Sequence, residues 1–103
     1  MRANFQTPTV LLPPALETGR LAIKTGAAVY EVSLDNRGRA TGVLYVDRAT
    51  GAINFARARS VVLAASSCES ARILLNSKSS SFPDGLANGS GQVGRNLTCE
   101  LAV

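Results

Sequence analysis

The clearest alternation of apolar and polar positions runs through Ala28-Val29-Tyr30-Glu31-Val32-Ser33-Leu34, where Tyr30, Val32 and Leu34 fall on one face of an extended chain. Asp35-Asn36-Arg37-Gly38 has turn composition, and Gly42 to Asp47 predicts a second strand. Asp47-Arg48-Ala49-Thr50-Gly51 is the next turn, followed by Ile53 to Arg59, in which Arg57 and Arg59 alternate with Ala56 and Ala58. Turns this short join neighbouring strands, so the pattern predicts an antiparallel three-stranded meander. Val61-Val62-Leu63-Ala64-Ala65 is different because it is apolar at every position. That is the signature of a strand covered on both faces, and it predicts a buried, parallel strand.

Helical signals flank this β-rich centre. Ser66 and Ser67 offer hydroxyl caps, and Glu69 to Asn76 carries Ile73, Leu74 and Leu75 on a predicted helix, giving a strand, a tight turn and a helix in succession. Earlier in the chain, Pro13 and Pro14 precede Ala15-Leu16-Glu17-Thr18-Gly19, a short helical turn with Pro at its start and Gly past its end. Leu21 to Thr25 reads as a short extended segment, and Lys78 to Gly94, rich in Ser, Gly, Pro and Asn, reads as a loop. The fold class is α/β, in a single unit without internal repeats.

Composition narrows the chemistry. With 103 residues the chain is at most one domain, and it contains no His. Nothing here can form a Ser-His-Asp or Cys-His nucleophile, a His-bearing zinc site or a His general base. The formal charge is +4, but the basic residues are scattered and interrupted by Glu31, Asp35 and Asp47. Arg37, Arg39, Arg48, Arg57 and Arg59 leave one alternative open, a small basic β-rich module binding nucleic acid or another anion. Aromatics at 5% supply few stacking surfaces for it, so nucleic acid is not the favoured partner. Cys68 and Cys99 do not make a disulfide framework, and both are read as reduced. The segment from Met1 to Thr9 has no apolar core of a signal peptide, the longest apolar run is Val61 to Ala65, and the compartment is unknown. Asn88-Gly89-Ser90 and Asn96-Leu97-Thr98 are formal glycosylation sequons of the kind expected by chance.

Gly89-Ser90-Gly91-Gln92-Val93-Gly94 spells G-x-G-x-x-G, the spacing that lets a backbone approach a pyrophosphate. That fingerprint requires a strand before it, a helix after it and an acidic residue about 20 positions on. A Pro83-Asp84-Gly85 turn precedes it instead, so the run is read as a loop.

A more specific signal is the order of the meander, the apolar run Val61 to Ala65, the stretch Ser66 to Ser77, and Phe82-Pro83-Asp84-Gly85-Leu86-Ala87-Asn88 leading to Val93-Gly94-Arg95-Asn96-Leu97. Together these resemble the glucose-methanol-choline (GMC) family of FAD-dependent oxidoreductases, over roughly Leu16 to Leu97, and look closest to the bacterial branch that includes gluconate dehydrogenase large subunits. The resemblance implies a fragment of an FAD/NAD(P)-binding, Rossmann-like domain, with residues 1–103 an internal piece that lacks the N-terminal G-x-G-x-x-G unit and the C-terminal segment carrying the catalytic His. It implies FAD as cofactor and an alcohol or sugar as substrate of the parent enzyme, with hydride passing to flavin N5. It names no catalytic residue within this chain.

Four cofactor-binding residues follow from the family's motifs. Thr25-Gly26-Ala27-Ala28-Val29 matches a T-G-x-x-V setting in which the Val backbone recognises adenine, which nominates Val29. Ala64-Ala65-Ser66 matches Ala-Ala-Gly at the end of a strand that returns to the nucleotide half of FAD, which nominates Ala64, Ala65 and Ser66. Ser66 stands where the family has Gly, which counts against a left-handed backbone there. Ser70-Ala71, Ile73-Leu74 and Ser77 fit the signature that follows, while Lys78 departs from Gly, and Ser70 and Arg72 are read as structural. Such a fragment, alone, is expected to bind FAD weakly or not at all and to self-associate through exposed strand edges.

Overall fold

The structure, a computed structural model, describes residues 5–98. Its centre is the predicted meander: β1 (Ala27–Leu34), β2 (Ala40–Asp47) and β3 (Ile53–Arg57) form one antiparallel sheet in sequence order. Both connections are built on aspartates. The Asp35 carboxylate accepts the backbone N–H groups of Arg37 and Arg39, each at 2.9 Å, and the Asp47 carboxylate accepts those of Ala49 and Thr50 at 2.9 and 3.3 Å. A short acceptor side chain thereby replaces backbone acceptors that a tight turn cannot supply.

Two sequence features shape the sheet beyond simple alternation. The ladder pairs Val29 with Tyr45 but Glu31 with Leu44, which leaves Tyr30 as an extra, bulged residue. The predicted common face of Tyr30, Val32 and Leu34 is therefore broken after Tyr30. Gly42, buried in β2, has the Phe55 ring 2.7 Å from the place where a Cβ would stand, and the Ala56 carbonyl closer still. Glycine here is a packing requirement, since any side chain would displace β3.

The helical elements fall near the positions read from the sequence, but the hydroxyl cap expected at Ser66 is not made. After a π-helical turn at Thr7–Leu11, α1 spans Leu12–Glu17, and Gly19 follows with φ +66° as its left-handed terminator. The second helix, α2, spans Ser67–Asn76 and packs on β1. Val32 of β1 and Ile73 of α2 are the buried hydrophobic side chains of the described residues, and Ser77 is the buried polar one. The loop after α2 returns along the helix: Leu86 donates its N–H to the Leu74 carbonyl at 2.9 Å, and Gly85 lies so close to Leu74 and Leu75 that a Cβ would come within 2.9 Å of their backbone.

One predicted element takes a different form. Val61–Ala65, expected as a buried parallel strand, has no ladder partner among the described residues, and Val62 is 86% exposed. A central strand needs a neighbour on each side, and no strand of the meander pairs with this segment. Leu21–Thr25 is likewise outside the sheet. Unfilled surface is the general result. A compact monomer of 10.7 kDa exposes about 5,500 Å², whereas this chain exposes 8294 Å². Its radius of gyration is 16.5 Å, against about 13 Å for a compact domain of this length.

Candidate functional site

The chemistry predicted for Val29 lies in its main chain, and the fold decides where that main chain points. β1 is an edge strand, paired with β2 on one side only, and α2 packs against it. The Val29 carbonyl accepts a hydrogen bond from Arg72 Nη2 at 2.8 Å, and the Val32 N–H donates to Ser77 Oγ at 2.8 Å. In a regular strand residues three apart direct their main-chain groups to opposite edges. The bulge at Tyr30 corrects the parity, and the cross-strand partners Tyr45 and Val43 are accordingly two apart on β2. The Val29 carbonyl and the Val32 N–H thus both face away from β2, toward α2, and strand geometry directs the Val29 N–H to the same edge as its carbonyl.

Two side chains of the helix hold this edge. Ser77 is buried, and its hydroxyl donates to the Ile73 carbonyl at 2.6 Å while accepting the Val32 N–H, so one oxygen ties the end of α2 to the strand. Arg72 reaches the strand from one turn earlier, and its guanidinium is itself gripped by Glu69. Nε lies 3.0 Å and Nη2 2.7 Å from Glu69 Oε2. Arg72 holds the Glu69 carboxyl below its ordinary value through these hydrogen bonds, and Glu69 in turn raises the Arg72 guanidinium. The sequence had Arg72 and Ser77 only as members of a motif. The i,i+3 spacing of Glu69 and Arg72 was the visible clue to their pairing, but the link to Val29 depends on how α2 docks.

Ala64, Ala65 and Ser66 lie just before α2, all exposed. Ser66 is the N-cap, yet its side chain makes no capping bond; its carbonyl accepts the Ser70 N–H at 3.0 Å. Its backbone has φ 72° and ψ 168°, so Ser in place of Gly does not remove the left-handed conformation. From Ser66 to Arg72 the rise along a helix axis is about 9 Å, comparable with the length of a nucleoside. No hydrogen bond joins Val29 to Ala64, Ala65 or Ser66 among the described residues. Val29 is tied to α2 through Arg72, and Ala64, Ala65 and Ser66 lead into the start of the same helix.

The remaining predicted features are peripheral to this edge. Arg39, Arg57 and Arg59 line one surface groove, in which Arg39 pairs with Asp35 at 2.9 Å, while Arg37 and Arg48 are not among its lining residues. Cys68 is an exposed free thiol in the first turn of α2, and Cys99 lies outside the described residues. The Gly89–Gly94 run is a series of turns, with Gly91 donating to the Asn88 carbonyl at 2.9 Å. Among the described residues no group of three or more Cys, Asp or Glu could hold a metal ion, and no helix is long and apolar enough to cross a membrane.

A meander whose bulged edge strand is clamped by the helix of a following segment defines part of a Rossmann-like FAD-binding domain of the α/β class. The family model of the GMC oxidoreductases matches residues 2–102, and the chain belongs to that family. It is 36% identical over 100 residues to 6'''-hydroxyparomomycin C oxidase of Streptomyces lividus, covering 97% of this chain and 18% of that protein. It is 40% identical over 95 residues to 2-methyl-1,2-propanediol dehydrogenase of Mycolicibacterium austroafricanum, covering 91% and 17% respectively. Paromamine 6'-oxidase of Streptomyces fradiae is 34% identical over 100 residues, covering 97% and 18%. The chain thus spans less than a fifth of the length of these curated relatives. The basic-module alternative finds no support in these matches.

Proposed function

We propose that residues 1–103 are a partial FAD-binding domain of an oxidoreductase acting on the CH–OH group of an alcohol or sugar, supplying adenine-side contacts and no catalytic residue. The observation that carries this reading is the main chain at Val29, whose carbonyl faces away from β2 and keeps one lone pair beyond its bond from Arg72. A backbone N–H beside a C=O matches the donor and acceptor edge of adenine without demanding a particular side chain. Ala64, Ala65 and Ser66, small and exposed, leave room for the nucleotide half of FAD, and the left-handed backbone at Ser66 suits a close approach. When bound, the flavin supplies the acceptor for hydride from the alcohol carbon. The names of the relatives, two oxidases and a diol dehydrogenase, support alcohol oxidation. Kinship with the gluconate dehydrogenase branch rests on the motifs alone.

The surface left uncovered by this fold, including Val62 and Ile53 at 86% and 65% exposure, is where further parts of such a domain would pack. Without them the chain self-associates through the Val61–Ala65 segment and the free edge of β3. The direct test is FAD titration of the full-length flavoprotein with and without Val29→Pro. Proline removes the N–H but is tolerated on an outward-facing edge. Weakened FAD binding with an unchanged fold is expected, and undiminished affinity refutes the assignment of Val29. For the 103-residue chain alone, FAD binding at micromolar or tighter affinity would show that these residues need no help.

A further inference from the structure

We infer that Arg72 is a positioning residue for cofactor recognition, acting through the Val29 carbonyl; this rests on the reading that Val29 faces adenine. Arg72 Nη2 donates to that carbonyl at 2.8 Å, which leaves one lone pair for a second donor. A guanidinium on one lone pair fixes the direction of the other, because both lie in the plane of the carbonyl group. Glu69 restrains the donor, accepting from the same Nη2 at 2.7 Å and from Nε at 3.0 Å. The bulge at Tyr30 and the Ser77 bond to Val32 fix the strand on the other side. The carbonyl is thus held in one orientation before any ligand arrives, which lowers the ordering cost of binding. The arrangement is specific for a ligand that donates to Val29, as the exocyclic amine of adenine does.

The test is a cycle between a protein change and a ligand change, made in the full-length flavoprotein by fluorescence titration of the apoprotein. The ligands are FAD and its purine analogue, which carries a hydrogen in place of the exocyclic amine and has no donor to offer Val29. Arg72→Met is expected to weaken FAD about tenfold and the analogue less than threefold, as for loss of one charge-assisted hydrogen bond acting through one contact. Glu69→Gln, which leaves Arg72 in place but loosely held, should weaken FAD about threefold and spare the analogue. Arg72→Lys should recover part of the loss for FAD. Equal loss for both ligands would mean that Arg72 only supports the fold and would overturn the inference. If the unaltered protein fails to discriminate FAD from the analogue, the adenine reading of Val29 fails instead. Circular dichroism and melting temperature confirm that each variant is folded, and should Arg72→Met not fold, Glu69→Gln on the exposed pair decides the matter.

Discussion

Ser66 offers the sharpest test of the local structure, because its sequence and its backbone disagree. At φ 72° and ψ 168° it occupies a region reserved almost entirely for glycine. Holding a residue with a Cβ there costs roughly 1–3 kcal/mol. Ser66→Gly removes that strain and gives back about 0.5–1 kcal/mol through the greater freedom of glycine in the unfolded chain. Nothing else is lost, since the exposed hydroxyl makes no capping bond. The expected result is a gain of about 1 kcal/mol, which for a chain of this size raises the urea midpoint by about 1 M. Ser66→Ala keeps the Cβ and should stay within about 0.5 kcal/mol of the parent. Urea titrations of the three proteins side by side, followed by circular dichroism at low concentration, give the comparison. A Ser66→Gly protein no more stable than the parent, or a gain shared by Ser66→Ala, would refute a left-handed backbone at this position.

Other outcomes follow from single contacts. Ser77→Ala leaves the buried Val32 N–H without its acceptor and should cost about 1–3 kcal/mol, with faster hydrogen exchange at the Val32 amide. Gly42→Ala drives a Cβ into the Phe55 ring and the Ala56 carbonyl and should destabilise by about 1–3 kcal/mol, read as a lowered melting temperature. The Asp35 and Asp47 carboxyls are held below their ordinary value of 3.8, chiefly by the backbone N–H groups of Arg39 and Ala49. Glu69 lies below its ordinary 4.5 because of Arg72. Depressed acids stabilise the folded state above their unfolded values, and that contribution is lost as pH falls through the folded ones. The melting temperature should therefore hold its value down to about pH 5 and fall below pH 4, with Asp35→Asn showing a shallower fall. A profile that is equally steep in the variant would exclude Asp35 as a contributor.

Much of the local structure was legible because it is fixed by residues near one another. The Asp-led turns at 35 and 47, the Pro start and Gly stop of α1, and the aliphatic positions of α2 are short-range chemistry, and each strand of the meander appeared within a few residues of its predicted span. Val61–Ala65 was the exception. Its composition describes the surroundings such a segment requires, and pairing depends on strands that the rest of the chain must bring to it. The resemblance placed the candidate residues Val29 and Ala64 to Ser66 without showing how the main chain at either place is held.

The sequence by itself determined the meander, the places of α1 and α2 and the family motifs, since these depend on residue identity and near neighbours. Tertiary structure decided which way the candidate edge faces. One bulged residue, Tyr30, turns Val29 and Val32 to the same side of β1, and the docking of α2 then brings Arg72 and Ser77, 43 and 45 residues away in sequence, onto their main-chain groups. Pleat parity and helix docking are properties of paired elements, and neither is written in the pattern of a single strand.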